Sequence, residues 1–339
     1  MSVGRVVAHP SEQGAAELTT LEERVVEHCR RRSVLATGES ALVLLSGGPD
    51  SACALDALVR VHRGPIRALV VDHGLRAGSD REAERAAAIA EALGVGCAIE
   101  QVEVGATASL QDAARVARWE AARRVAATVG ATCIVTGHTA DDQAETVLFR
   151  IARGAGRTGA LGMAPRTGDI ARPVLCLRAS ETRHWCQERG LAPIQDPSNA
   201  DSRFARVRVR TDALPALERV HAGAGAHLAD LAELLRDEAE VLEPIVDAAW
   251  QRCQCGDGLA VESLRAEHDA IQRLLVRRLL GQAGAPGEAL GRRPVERARG
   301  VLATGAAATL PGPVDVSVQG SVLVADLRAA RRPVALTNR

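Results

Sequence analysis

The stretch ALVLLSGGPDSACALDALVR, residues 41–60, decides the fold. Its first five residues form a continuous apolar run of strand length, and residues 52–63 repeat apolar side chains at helical spacing. Between them lies S-G-G-P-D-S, Ser46 to Ser51, so a strand passes directly through a glycine loop into a helix. A loop that leaves the carboxyl end of a buried parallel strand and opens a helix aims its backbone N–H groups at one point, and that point attracts anions. Gly47 and Gly48 let the main chain come close to a phosphate, the helix dipole adds partial positive charge, and Ser46 and Ser51 supply hydroxyl donors. Taken alone, the paired glycines also fit a tight turn capped by Asp50 or Ser51.

Outward from this loop the same rhythm recurs. Residues 66–74 (IRALVVDHG) read as a second strand, and Ser79 with Glu82 predicts a capping box opening a helix over 80–93 that Gly94 closes. A strand at 97–104, a helix over 111–129, a strand at 131–137 and a helix over 141–152 follow. Strands that are apolar throughout, alternating with helices, predict an α/β fold: a doubly wound, mainly parallel sheet covered on both faces. Beyond Gly154 the rhythm breaks into a glycine-rich loop (154–162), an edge strand expected at 172–177, a short helix over 180–189 and an arginine-rich segment at 195–210. Helical arms are expected near 226–250, 262–281 and 291–303, and period-two alternation over 314–327 about Gln319-Gly320 predicts a terminal β-hairpin. The expected organisation is an N-terminal extension (1–39), a nucleotide domain (40–215) and a smaller helical domain (222–330), divided near 212–222.

Composition narrows the function classes. With 339 residues and 47% apolar content the chain can bury a large core, and its formal net charge of zero argues against a uniformly basic nucleic-acid coat. All 42 basic residues are arginine, a depletion of lysine that fits coding bias better than function. The eight cysteines are scattered, no C-x-x-C occurs, and the one close pair, Cys253 and Cys255, is a weak metal signal. With no secretory leader and no apolar run near the ~20 residues of a membrane span, a reduced cytoplasmic protein without membrane association is expected.

Other phosphate loops are eliminated by spacing. A Walker loop needs a lysine, and the chain contains none; Gly156, Gly159 and Gly162 do not have dinucleotide-fingerprint spacing; the G-x-S-x-G elbow is missing. A second constellation, GHTADDQAET at 137–146, follows the strand at 131–137 and opens the next helix. Asp142 and Glu145 are three apart and Asp141 and Glu145 four apart, so the helix gathers carboxylates on one face, although acids in a first turn also serve as ordinary caps. In a parallel sheet this segment, with His138 and Gln143, shares a rim with the loop at 46–51 and with Asp72-His73-Gly74.

S-G-G-P-D-S resembles the pyrophosphate loop of the N-type ATP pyrophosphatases, whose fold is adenine nucleotide alpha hydrolase-like. SGGPDS, VDHGLR, AARVARWEAA, GHTADDQAETVLFRIARGAGRTGALGM, ARPVLCL and QDPSNADSRF stand in the order and spacing of the tRNA(Ile)-lysidine synthetases, a resemblance covering about 40–215. It implies that ATP adenylates the wobble cytidine of the isoleucine tRNA with a CAU anticodon, and that free L-lysine then displaces AMP. It also implies that Ser46, Gly47, Gly48, Pro49, Asp50 and Ser51 hold the phosphates, with Asp72 and His73 at the nucleotide and Asp50 on Mg²⁺. Asp142 and Glu145 suit the lysine ammonium, Arg118 its carboxylate, and His138 the nucleotide, the base or the loop. Arg203, Arg206, Arg208 and Arg210 form the densest cationic run and suit tRNA phosphates; Val207 stands where many relatives carry asparagine. The C-terminal arginines grip tRNA or balance neighbouring acids. Two other functions remain open: a tRNA thiolase sharing the pyrophosphate loop, and an ATP-binding module without chemistry.

Overall fold

In the computed structural model, which describes residues 12–72, 74, 78–102, 110–194, 205–312 and 314–327, the apolar run forms strand β1 (Ala41–Leu44). Around it stand β2 (Ile66–Asp72), β3 (Cys97–Gln101), β4 (Cys133–Val135), β5 (Arg166–Thr167) and β6 (Ile170–Ala171). Among the described residues these make a six-stranded sheet in the order β3-β2-β1-β4-β6-β5, parallel except for the β5–β6 pair. The order reverses between β1 and β4. That is the switch point at which open α/β sheets form a crevice beyond the carboxyl ends of their strands.

Helices α1 (Glu12–Arg31), α2 (Pro49–Val61), α3 (Ser79–Ala92), α4 (Leu110–Val129), α5 (Ala140–Ala152), α6 (Gly156–Ala160) and α7 (Ala179–Glu188) alternate with or follow these strands. Then come α8 (Ala205–Arg208), a π-helical turn (Val209–Ala213), α9 (Leu214–Val220) and the long α10 (Ala224–Cys253). The chain divides into two compact units: residues 1–146 with 163–229, and residues 147–162 with 230–339. The division therefore falls at 229/230, past the expected 212–222, and gives 147–162 to the second unit.

The first unit's core lies on one side of the sheet, where Val43 and Leu45 of the β1 run meet Leu55 and Leu58 of α2 and Trp185 of α7, and on the other, where Leu42, Leu69 and Ile134 meet Ala122 and Val125 of α4. Leu21 and Val25 of α1 are buried in it too, so the segment before residue 40 contributes a core helix. Asp56 of α2, 1% exposed, accepts hydrogen bonds from Trp185 Nε1 (2.7 Å) and Arg60 Nε (2.9 Å), which neutralises a carboxylate in the core and ties α2 to α7.

Three local expectations are corrected. Residues 172–177 form no strand. Pro173 has no N–H for a ladder, and the segment closes turns, Leu175 N–H to Arg172 O (3.3 Å) and Leu177 N–H to Val174 O (3.0 Å), that still bury Val174 and Leu177. Gly78, at φ +89°, is the N-cap of α3, which puts Ser79 in the first helical position, one residue out of register for a capping box with Glu82. Within 154–162, the glycine-rich stretch winds into α6.

The second unit holds α11 (Val261–Ala266), α12 (Asp269–Gln282), α13 (Arg292–Thr304) and strands β7 (Gln254–Cys255), β8 (Gly258–Ala260), β9 (Ala308–Leu310), β10 (Val314–Gln319) and β11 (Val322–Leu327). The terminal hairpin forms as β10–β11, inside a five-stranded antiparallel sheet of order β7-β8-β11-β10-β9. Trp250, Leu275, Leu279, Val301 and Leu323 are among the residues of its core. Among the described residues no helix is long and apolar enough to cross a membrane.

Candidate active site

The glycine loop is pinned by Ser51. Its hydroxyl accepts from Ser46 N–H (3.2 Å), donates to Gly48 O (3.0 Å) and lies 3.1 Å from Ser46 Oγ. Gly47 sits at φ +82°, a dihedral that disfavours any side chain, and a Cβ there would also press on Ile194 Cδ1 (2.8 Å) and Ala86 Cβ (3.1 Å). Ile194 N–H in turn donates to Gly47 O at 2.8 Å. Gly48 caps α2 and Pro49 begins it, so the first-turn N–H groups of Asp50 and Ser51 have no acceptor inside the helix.

The two motifs meet at Gly137. A Cβ at that position would lie 2.7 Å from the carbonyl carbon and oxygen of Asp50 and from the Cα of Ser51. The backbone that leaves β4 therefore lies against the first turn of α2, and only glycine allows the approach. Asp141 and Asp142, four and five residues on, come within electrostatic reach of Asp50. Burial above all, then the two neighbouring acids, push the Asp50 carboxyl above its ordinary range, and a hydrogen bond from the Thr182 hydroxyl opposes the rise. Thr182, fully buried on α7, escapes any sequence motif because its partner is 132 residues away.

Each acid of the second motif has a distinct set of partners. Asp141 Oδ2 accepts Ala179 N–H (2.7 Å) at the start of α7. Asp142 Oδ2 receives both the N–H (2.9 Å) and the hydroxyl (3.1 Å) of Thr139, so one side of this carboxylate is tied to the start of its own helix. Glu145, 4% exposed, is held by the guanidinium of Arg210 through Nε and through Nη2 (3.0 Å), and Arg210 Nη2 also stands 3.8 Å from Asp142 Oδ1. Gln143, buried at 2% exposure, clamps the backbone of Met163 with both ends of its amide, at 3.0 and 2.6 Å.

His138 Nδ1 lies 2.7 Å from Thr136 Oγ1. Burial, which outweighs the pull of Asp142, lowers its pKa to about 4, with Arg172, Arg206 and Arg115 acting in the same direction. The imidazole is neutral at physiological pH. Arg118 lies in an exposed position on α4, one turn beyond Arg115 and on the same face. Asp72, buried at the end of β2, accepts Gly74 N–H (2.9 Å). In the cationic run, Arg206 Nη2 donates to Thr146 Oγ1 (2.5 Å) and Arg210 holds Glu145, so both turn toward α5, while Arg208 is exposed. His73 and Arg203 lie outside the described residues.

The remaining arginines and cysteines are readable in the same way. Arg273 and Arg299 pair with Glu296, Arg299 also with Asp269, and Arg278 with Asp247, so these C-terminal cations balance neighbouring acids. Burial pushes the thiols of Cys29, Cys176 and Cys186 up to about 12, and those of Cys97 and Cys133 up to about 11, away from the thiolate that sulfur transfer or cluster ligation requires.

A glycine loop pinned by serines at the switch point of a parallel sheet, facing a helix of acids from the neighbouring strand, defines a PP-loop nucleotide-binding domain, and residues 18–217 match the PP-loop domain family. Proteins named tRNA(Ile)-lysidine synthase are its relatives: that of Nocardia farcinica is 43% identical over 72% of this chain and 76% of its own length. That of Leifsonia xyli is 42% identical over the same shares, and that of Thermobifida fusca 40% identical over 76% and 81%. The chain belongs to the tRNA(Ile)-lysidine synthase family. Among solved structures, a U34-tRNA thiolase from Methanococcus maripaludis with its 4Fe-4S cluster aligns at TM-score 0.54 and 18% identity, over 68% of this chain and 84% of that one, a likeness of fold.

Proposed function

We infer that this chain joins free L-lysine to C2 of the wobble cytidine in the isoleucine tRNA with a CAU anticodon, consuming ATP and releasing pyrophosphate and AMP. The observation that carries this reading is the contact of Gly137 with Asp50 and Ser51, which sets the phosphate loop and the acidic helix on one rim.

In the first step the 2-oxygen of cytidine attacks the α-phosphorus of ATP and the bond to the bridging oxygen breaks. The departing pyrophosphate is received by the Ser46 hydroxyl and the first-turn N–H groups of Asp50 and Ser51, donors that are already oriented and need no rearrangement. Asp72 and His73 are assigned to the nucleotide. Asp50 is the residue that would hold Mg²⁺: one oxygen is engaged by Thr182, and a cation would relieve the burial and like charge that raise its pKa. When bound, the ion neutralises charge on the phosphates.

In the second step the ε-amine of lysine attacks C2 and AMP leaves with the 2-oxygen. Asp142 and Glu145 are assigned to the incoming ammonium, and one of them, or a water they hold, takes the proton it must lose before it has a lone pair. Arg118 is assigned to the lysine carboxylate as a forked partner. Arg203, Arg206, Arg208 and Arg210 are assigned to tRNA or adenylate phosphates, and neutral His138 to the nucleotide or base. The product pairs with A instead of G, converting a methionine anticodon to an isoleucine one.

The test is incorporation of radiolabelled lysine into the CAU isoleucine tRNA with and without ATP. Label appearing only with ATP is expected; ATP binding with no incorporation would leave a nucleotide-binding module.

A further inference from the structure

Glu145 and Asp142 already carry a cation. Among the described residues, Arg210 is the one that forks onto Glu145, at 3.0 Å through Nη2, with Asp142 at 3.8 Å. The pair is asymmetric: the Glu145 side chain is 5% exposed and fixed on α5, whereas that of Arg210 is 45% exposed. Arg210 also sits in the π-helical turn Val209–Ala213 between α8 and α9. Such single wide turns occur mostly inside helices and often at functional sites. The arginine is the partner free to withdraw toward solvent, and the carboxylate is the one that stays.

The geometry points to Arg210 as a displaceable counter-ion that selects a cationic side chain: it occupies the ammonium position of the lysine site, and lysine binds by exchanging its own charge for the guanidinium. This rests on the reading that Glu145 and Asp142 receive lysine. Two consequences follow from charge alone. The buried Glu145 is never left unpaired between turnovers, which would be costly. An uncharged side chain of similar length cannot displace a guanidinium from two carboxylates, so the exchange filters for a cation.

The experiment measures binding of L-lysine, with L-norleucine as the uncharged control, to the full chain and to Arg210→Ala and Glu145→Gln. Because lysine no longer has to break a half-exposed forked pair, Arg210→Ala is expected to bind it about five- to tenfold more tightly. Equal or weaker binding by Arg210→Ala, with Glu145→Gln losing lysine, overturns the exchange while leaving the site assignment standing. Unchanged lysine binding in Glu145→Gln removes the site assignment and the exchange with it. A second measurement uses the unmodified protein, so that misfolding of a variant decides nothing. The Nε–H resonance of Arg210, identified by its loss in Arg210→Lys, should move to the solvent-exposed arginine position as lysine saturates. A resonance that stays in place overturns the proposal.

Discussion

Replacing Gly137 by alanine adds a single methyl group, and the structure fixes where it goes. The new Cβ would lie 2.7 Å from three backbone atoms, the carbonyl carbon and oxygen of Asp50 and the Cα of Ser51. Ordinary contact between such atoms needs about 3.5 Å or more, so the strand end and the loop must separate by roughly 0.8 Å. None of the three atoms belongs to a flexible side chain, and α2 behind them is buried from Ser51 to Leu58. Overpacking of this kind costs about 1–3 kcal/mol. A displacement approaching 1 Å between groups that must meet the same substrate costs on the order of a hundredfold in rate. Gly137→Ala is therefore expected to fold with reduced denaturant stability and to release pyrophosphate from ATP on cognate tRNA about 10²-fold more slowly. Urea unfolding and a tRNA-dependent pyrophosphate assay measure the two effects. A variant with the stability and rate of the parent would refute the claim that the two motifs touch.

Thr182→Val removes the hydroxyl that holds Asp50 while keeping its shape, so the Mg²⁺ concentration for half-maximal nucleotide binding should rise at least about tenfold and Thr182→Ser should restore it. A lower unfolding midpoint with unchanged Mg²⁺ dependence would make Thr182 purely a packing residue. Trp185→Phe deletes the indole N–H that donates to buried Asp56 and should cost about 1.5–3 kcal/mol in chemical denaturation. His138 titrates near 6.5 when unfolded and near 4 when folded, so between those values the unfolded chain holds more protons and stability falls as pH drops through the window. The slope from this one group is at most about 1.4 kcal/mol per pH unit, and it should flatten in His138→Gln when unfolding is followed from pH 7 to 4.

The parts of this fold that could be read in advance are those that local chemistry dictates. A parallel strand buried on both faces must be a short apolar run, and Gly94, Gly130 and Gly190 stop helices because a left-handed residue costs them little; each is at positive φ. Residues 172–177 misled because buried apolar residues look alike whether a strand or a turn buries them, and Pro173 was the local sign against a ladder. The three short strands β7, β8 and β9 have two or three residues each, too few to show a period. In the site, the rim followed from topology, but the state of each acid did not. Asp142 bonds Thr139 three residues back, a local spacing, but Asp141 caps α7, Glu145 is held by Arg210 and Asp50 by Thr182, contacts that join residues 38 to 132 apart and leave no spacing to detect.

The rim's division of labour is tested most directly by separating the two half-reactions in two variants, following pyrophosphate and AMP release on the CAU isoleucine tRNA. Asp50→Asn should lose pyrophosphate release, and Glu145→Gln should still release pyrophosphate yet fail to release AMP or attach lysine. Loss of the same half-reaction in both variants, or lysine attachment at the parent rate by Glu145→Gln, would contradict it.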